Sequence, residues 1–193
     1  EVVIENCIFV AASWAGRTPR VGLSSYDDGD GYPEGLTITN TLFFRFVEAM
    51  NISALYVGIF TGNYYDQGGN TPSKIGSDAT GRTEGIVFTA CWFFSFGLEF
   101  GVTSSVAPKQ FRSRVIGCHF SAMAPGVDVM FKRFAHGIIC IGNSHDSNNT
   151  GTHTGYLADA NNEGIPVDGS NFEFYDSYAQ FKGAGSRNTI SNI

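Results

Sequence analysis

The sequence predicts an all-β chain folded as a parallel β-helix, a solenoid of about seven coils with three short strands each. Three observations predict it. One short pattern recurs seven times, with bends at positions 6, 40, 62, 90, 117, 142 and 176, spaced by 34, 22, 28, 27, 25 and 34 residues. A period of this size means stacked units. The bend residue is Asn, Gly or Asp in six copies, the types that reach positive φ at least cost, and Ala90 is the exception. The chain also carries 24 Gly and 14% aromatic residues alongside many Val, Ile and Thr, a composition of strands and turns.

Each coil can be justified in order. Two positions before the bends stand Ile4, Ile38, Phe60, Phe88, Val115, Cys140 and Phe174, all apolar. With the period of two that strands impose, these face inward. One position after the bends comes a small residue: Cys7, Thr41, Asn63, Cys91, Cys118, Asn143 or Ser177. Three positions after them stand Phe9, Phe43, Tyr65, Phe93 and Phe120, then His145 and Ala179, where the pattern decays. A third strand is readable at 46–50, 97–101 and 126–130. A β-sandwich of short strands is the competing architecture, but nothing in a sandwich repeats one corner chemistry in phase.

The 193 residues form one domain, expected to be a segment of a longer chain or one with covered ends, because solenoids need caps. Polar, Gly-rich loop inserts are expected at 16–35, 66–84 and 145–169, where they either build a binding face or are merely tolerated. Apolar residues on the outer faces (Val3, Ile8, Leu42, Ile59, Val87, Trp92, Ile116, Ile139 and Ile141) imply self-association, with a trimer as one arrangement that buries them. Net charge is −6 and the pI about 5.1, without a basic cluster, which argues against nucleic acid or an anionic membrane as partner. No apolar run reaches the length of a membrane span.

Cys7, Cys91 and Cys118 read as buried thiols in one column rather than part of a disulfide framework, although neighbouring Cys91 and Cys118 could bond if geometry allowed. No Cys or His spacing matches a zinc site, and no metal or cofactor is expected. Asp27-Asp28-Gly29-Asp30-Gly31 looks like the start of a calcium loop but lacks its terminal bidentate Glu, and a turn is the plainer reading.

The sharpest chemical signal lies in the third strand. Glu48, Glu99 and Asp128 each stand between apolar neighbours, so alternation predicts that they point outward. Glu99 and Asp128, on adjacent coils about 4.8 Å apart, would then sit roughly 5–6 Å from each other. That is near the separation of about 5–5.5 Å in retaining glycosidases, while Glu48, about 10 Å from Glu99, approaches the inverting range of roughly 6.5–9.5 Å. Glu99 and Asp128 would be the acid and the nucleophile or base, with Glu48 as alternative partner; the bland alternative is that such carboxylates only keep a strand solvated. Tyr64, Trp92 and Tyr156 could stack on sugar rings, and Arg112 and Arg114 could hold an acidic sugar or pair with nearby carboxylates.

The corner residues, the small inward residue, the aromatic stack and the irregular coils of 22–34 residues resemble the right-handed parallel β-helices of the pectate-lyase-like superfamily. With the apolar outer faces, they look most like bacteriophage tailspikes and related tail appendages. The resemblance implies an extracellular virion-tail protein, a homotrimer that binds bacterial surface polysaccharide and often hydrolyses it with paired Asp or Glu. A non-catalytic receptor-binding or structural module is the alternative. A polysaccharide lyase or epimerase, which would need a basic residue near the carboxylates, is a further one.

Overall fold

The computed structural model describes residues 1–12, 21–26, 33–67, 71–76, 83–94, 97–101, 112–122, 127–131, 138–147, 154–158, 172–175, 181–182 and 188–190. The chain runs through β1 (Val2–Glu5), β2 (Ile8–Val10), β3 (Val21–Ser25), β4 (Glu34–Thr39), β5 (Leu42–Phe46) and β6 (Glu48–Ile52). It continues through β7 (Leu55–Thr61), β8 (Tyr64–Gln67), β9 (Ser73–Ile75), β10 (Thr83–Thr89), β11 (Trp92–Phe94) and β12 (Leu98–Phe100). Next come β13 (Arg114–Ile116), β14 (His119–Ala122), β15 (Val127–Phe131), β16 (Ile138–Ile141), β17 (Ser144–Ser147) and β18 (Thr154–Ala158). β19 (Phe172–Tyr175), β20 (Phe181–Lys182) and β21 (Asn188–Ile190) close the series, with no helix among the described residues.

Through β16, each strand pairs in parallel with the strand three places further on, which sorts the chain into three parallel sheets. The first runs β1-β4-β7-β10-β13-β16-β19-β21, the second β2-β5-β8-β11-β14-β17, and the third β3-β6-β9-β12-β15-β18-β20. This is the arrangement of a parallel β-helix. The stretches expected to be polar loop inserts each carry a third-sheet strand: β3 within 16–35, β9 within 66–84 and β18 within 145–169. Strands of three to five residues, such as Ser73-Lys74-Ile75, are too short and too polar to show alternation in sequence.

The core is a set of columns. Ile38, Phe60, Phe88, Val115 and Cys140 are fully buried on the first sheet, and Ile52, Ile75, Phe100 and Phe131 on the third. On the second sheet the rings of Phe9, Phe43, Tyr65, Phe93 and Phe120 stack face to face at successive centroid distances of 5.2, 5.3, 4.9 and 5.0 Å. Such pairs contribute about 0.5–1.5 kcal/mol each beyond their burial. The Tyr65 hydroxyl is buried inside this stack without a hydrogen-bond partner, and burial pushes its pKa well up.

The bends fall where the sequence placed them. Asn6, Asn40, Gly62, Ala90, Gly117 and Gly142 have φ of 54°, 48°, 63°, 51°, 58° and 64°. Ala90 therefore adopts the left-handed conformation despite its Cβ, at a cost of roughly 1–2 kcal/mol. Asp176, Ser177 and Ala179 lie outside the described residues. A second column of left-handed residues, which the sequence did not announce, lies near the start of the first-sheet strands: Gly35 in β4, Val57 in β7 and Gly85 in β10 share one level, with Arg112 two residues before Arg114. Val57, β-branched at φ 63°, is the strained member.

The small column after each bend has a specific task. The bend N–H donates to a carbonyl of the next coil (Asn40 N to Thr61 O, 3.0 Å), and the N–H two places on donates to the previous coil (Leu42 N to Cys7 O, 3.0 Å). The N–H between them has no backbone acceptor, so a side chain from the following coil takes it. Thr41 Oγ1 accepts from Cys7 N at 3.4 Å, Asn63 Oδ1 from Thr41 N at 2.9 Å, and Asn143 Oδ1 from Cys118 N at 2.9 Å. At the same level the thiols of Cys91 and Cys118 donate to the Phe60 and Ile116 carbonyls, at 3.3 and 3.6 Å. Asn63 and Asn143 also donate through Nδ2 to the Ile38 and Val115 carbonyls, at 2.8 and 3.0 Å. Small size alone does not explain the column; Thr41, Asn63 and Asn143 also accept.

All four cysteines are free thiols. Side-chain hydrogen bonding with Cys91, then burial, pushes the Cys118 thiol far above its ordinary range. An Asn63→Ala substitution would strand the Thr41 amide and the Ile38 carbonyl in the core. The expected loss is about 2–4 kcal/mol of stability, from roughly 1–3 kcal/mol per unsatisfied group, measurable by chemical denaturation.

Candidate functional site

The outer face of the second sheet carries the most concentrated chemistry among the described residues. Each strand there begins immediately after a residue of the small column, so its first side chain turns outward. In register these first positions are Ile8, Leu42, Tyr64, Trp92, His119 and Ser144. Two places along runs a parallel column: Val10, Phe44, Asp66, Phe94 and Ser121.

Aromatic rings form the centre of this face. Tyr64 and Trp92 lie 5.7 Å apart, tilted by 48°, and Trp92 meets His119 edge-on at 4.5 Å and 73°. Trp92 remains 44% exposed. His119 Nδ1 lies 2.6 Å from Ser144 Oγ. Beside the rings, a register shift between Phe44 and Phe46 places Arg45 at φ 64°, with its guanidinium 5.0 Å from the Phe44 ring centre. A cation so placed is held by about 0.5–1 kcal/mol at an exposed site.

Partial burial raises the Asp66 carboxyl above the usual range, opposed by Arg45. Partial burial, then the neighbouring Asp66, raises the Tyr64 hydroxyl. The face thus offers ring surfaces bordered by one anion, one cation, an imidazole and a hydroxyl.

The expected carboxylate pair is not assembled. Glu99 is half-buried and stands opposite Lys74 and Met130, not Asp128. Phe100 pairs with Phe131, their rings stacked at 6.2 Å, and this sets the register so that Asp128 is level with Gly97. The two acids are therefore offset by two residues, roughly 8 Å between Cα atoms from strand rise and spacing. Asp128 is also buried, 2% exposed, and its backbone passes so close to Gly97 that a Cβ there would collide with the Asp128 carbonyl.

Glu48 is buried as well, 7% exposed, with Oε1 3.8 Å from Lys74 Nζ. A single residue, Val47, separates β5 from β6, so Glu48 occupies a corner where strict alternation breaks down.

Arg112 is exposed and pairs with the largely buried Glu84 at 3.6 Å, the carboxylate pairing weighed for it from sequence. Arg114 is exposed on β13, in register with Val87 and Ile139. Backbone pairing sets Tyr156 opposite Val129 and Phe181, away from the Tyr64–Trp92 column on another sheet. Asp27 to Gly31 lie outside the described residues, and no group of three metal-ligating side chains gathers among those described.

Sequence reasoning missed Lys74, which lay in a stretch read as an insert, and the Arg45–Asp66 and His119–Ser144 pairings, which depend on register. The shared offset from the corners could have revealed the last, since His119 and Ser144 each stand two places past a bend.

No protein-family model matches the chain, and neither a curated protein nor a solved structure matches it.

Because Asp66 holds a proton more readily in the folded chain than in the unfolded one, its charge opposes folding. Stability should fall as pH rises from the ordinary carboxylate range through the raised folded value. Asp66→Asn should flatten that slope in denaturation midpoints measured across acidic pH; an unchanged slope would assign it to other groups.

Proposed function

We propose that the chain is part of a right-handed parallel β-helix of about seven three-strand coils, of the tailspike kind, which binds a bacterial surface polysaccharide on the outer face of its second sheet. The observation that carries this reading is the outward run Tyr64–Trp92–His119, aligned along the direction in which coils stack. Aromatic faces take up the C–H surface of sugar rings, and the bordering polar groups can read hydroxyls. A chain with net charge −6 and no basic patch suits a neutral or weakly charged glycan better than a polyanion.

The reading is one of binding. Hydrolysis by Glu99, Asp128 and Glu48 finds no support in the register and burial of those side chains. A lyase would find a basic residue at Lys74, which stands opposite Glu99 and beside Glu48.

Oligomerisation would use a different face. The outer side of the first sheet presents Val3, Thr37, Ile59, Val87, Arg114 and Ile139 in one column, with Val3, Ile59 and Arg114 exposed, and Ile141 nearby. In this proposal those residues pack against two further copies of the chain on an extracellular virion tail.

Trp92→Ala should weaken retention of a bound surface polysaccharide at least about tenfold, equivalent to roughly 1.4 kcal/mol, with the β-sheet circular dichroism unchanged. Affinity unaffected by that substitution would overturn the site. Chain length of the polysaccharide should not change on incubation; new reducing ends would indicate hydrolysis, and an ultraviolet-absorbing unsaturated product would favour the lyase. Sedimentation should show a trimer that Ile59→Lys returns to monomer, and a monomeric parent protein would remove the oligomer proposal.

A further inference from the structure

The aromatic face also brings a nucleophile and a base into contact. Ser144 is exposed, and its Oγ lies 2.6 Å from His119 Nδ1, at the short end of hydroxyl hydrogen bonds. Two features hold the contact. Backbone register sets His119 directly opposite Ser144, and their N–H groups are anchored to the Cys91 and Cys118 carbonyls, each at 2.9 Å. The Trp92 ring, 4.5 Å away and edge-on, fixes the plane of the imidazole.

We propose that Ser144 and His119 form a dyad that hydrolyses an ester, with an O-acyl group on a sugar seated against Trp92 as its substrate class; the sugar part rests on the binding reading above. With the ring proton on Nε2, Nδ1 accepts the Ser144 proton while Oγ bonds to the ester carbonyl carbon, whose π pair moves to oxygen. As the carbonyl re-forms, the bond to the sugar oxygen breaks and that oxygen leaves with the proton from Nδ1. Water then attacks the acyl-serine and gives one proton to Nδ1, which returns it to Oγ as the carboxylic acid departs. One water is consumed per ester and no redox partner is needed. An activated serine with a neighbouring base is the general pattern of such chemistry. An ester, whose alkoxide leaves more readily than an amine, suits a dyad exposed at the surface.

The test uses the intact chain and 4-nitrophenyl acetate, a probe that needs no sugar contact. Turnover above buffer is expected, falling at least about a hundredfold in Ser144→Ala and in His119→Asn, the usual range for losing a base or nucleophile. Phenylmethanesulfonyl fluoride should transfer its phenylmethanesulfonyl group to Ser144 Oγ with loss of HF, a mass gain on the parent protein that does not depend on how a variant folds. No turnover by the parent chain, or equal turnover by Ser144→Ala, overturns the dyad. Turnover by a chain that retains no polysaccharide would uphold the dyad and overturn the sugar as its substrate. Polysaccharide retention without turnover would overturn the dyad and leave the binding reading standing.

Discussion

One backbone amide per coil governs this structure. At each left-handed corner the chain turns too sharply for the next N–H to reach a strand acceptor, and that N–H points into the core. A buried donor without a partner costs far more than a made bond returns. The following coil meets the demand by presenting a side-chain acceptor at the same level: Thr41 for Cys7, Asn63 for Thr41 and Asn143 for Cys118. The alignment of the aromatic stack and of the outer columns follows from this link.

That device also positions the chemistry. Tyr64, Trp92, His119 and Ser144 each follow a residue of the inner seam directly, and each donates its N–H to the carbonyl of the seam residue one coil earlier, at 2.8–3.0 Å. Their side chains emerge at one level on successive coils because the residues before them are locked together. The outer face inherits its regularity from the inner seam.

Much of the architecture was readable in the sequence, since left-handed corners and inward aromatics need particular residue types at fixed offsets. Ala90 was the one corner without a helpful residue, and the phase of Phe88 and Phe93 around it still marked its place. Two things were not readable. Strands such as Ser73-Lys74-Ile75 are held by neighbours above and below and need no pattern of their own. Sheet register in the third sheet was the other: aligning Leu98 and Phe100 with Val127 and Val129 is as good by hydrophobicity as aligning them with Val129 and Phe131. Only ring-on-ring packing decides for the second, and that shift of two residues separates Glu99 from Asp128. The candidate site was half visible, through Tyr64 and Trp92, because stacking rings can be guessed singly whereas polar pairs exist only once coils are aligned.

The interchangeability of Thr and Asn as acceptors in the inner seam has a consequence for how such a chain can change in length. A coil with either residue there ends by asking for an acceptor and begins by offering one, so the joint between such coils carries the same chemistry. Duplication or excision of one complete coil would bring a matching donor and acceptor together at the new junction. The ladder of outward groups would slide by one place without losing its alignment. A polypeptide built this way can lengthen or shorten its ligand platform in whole-coil increments.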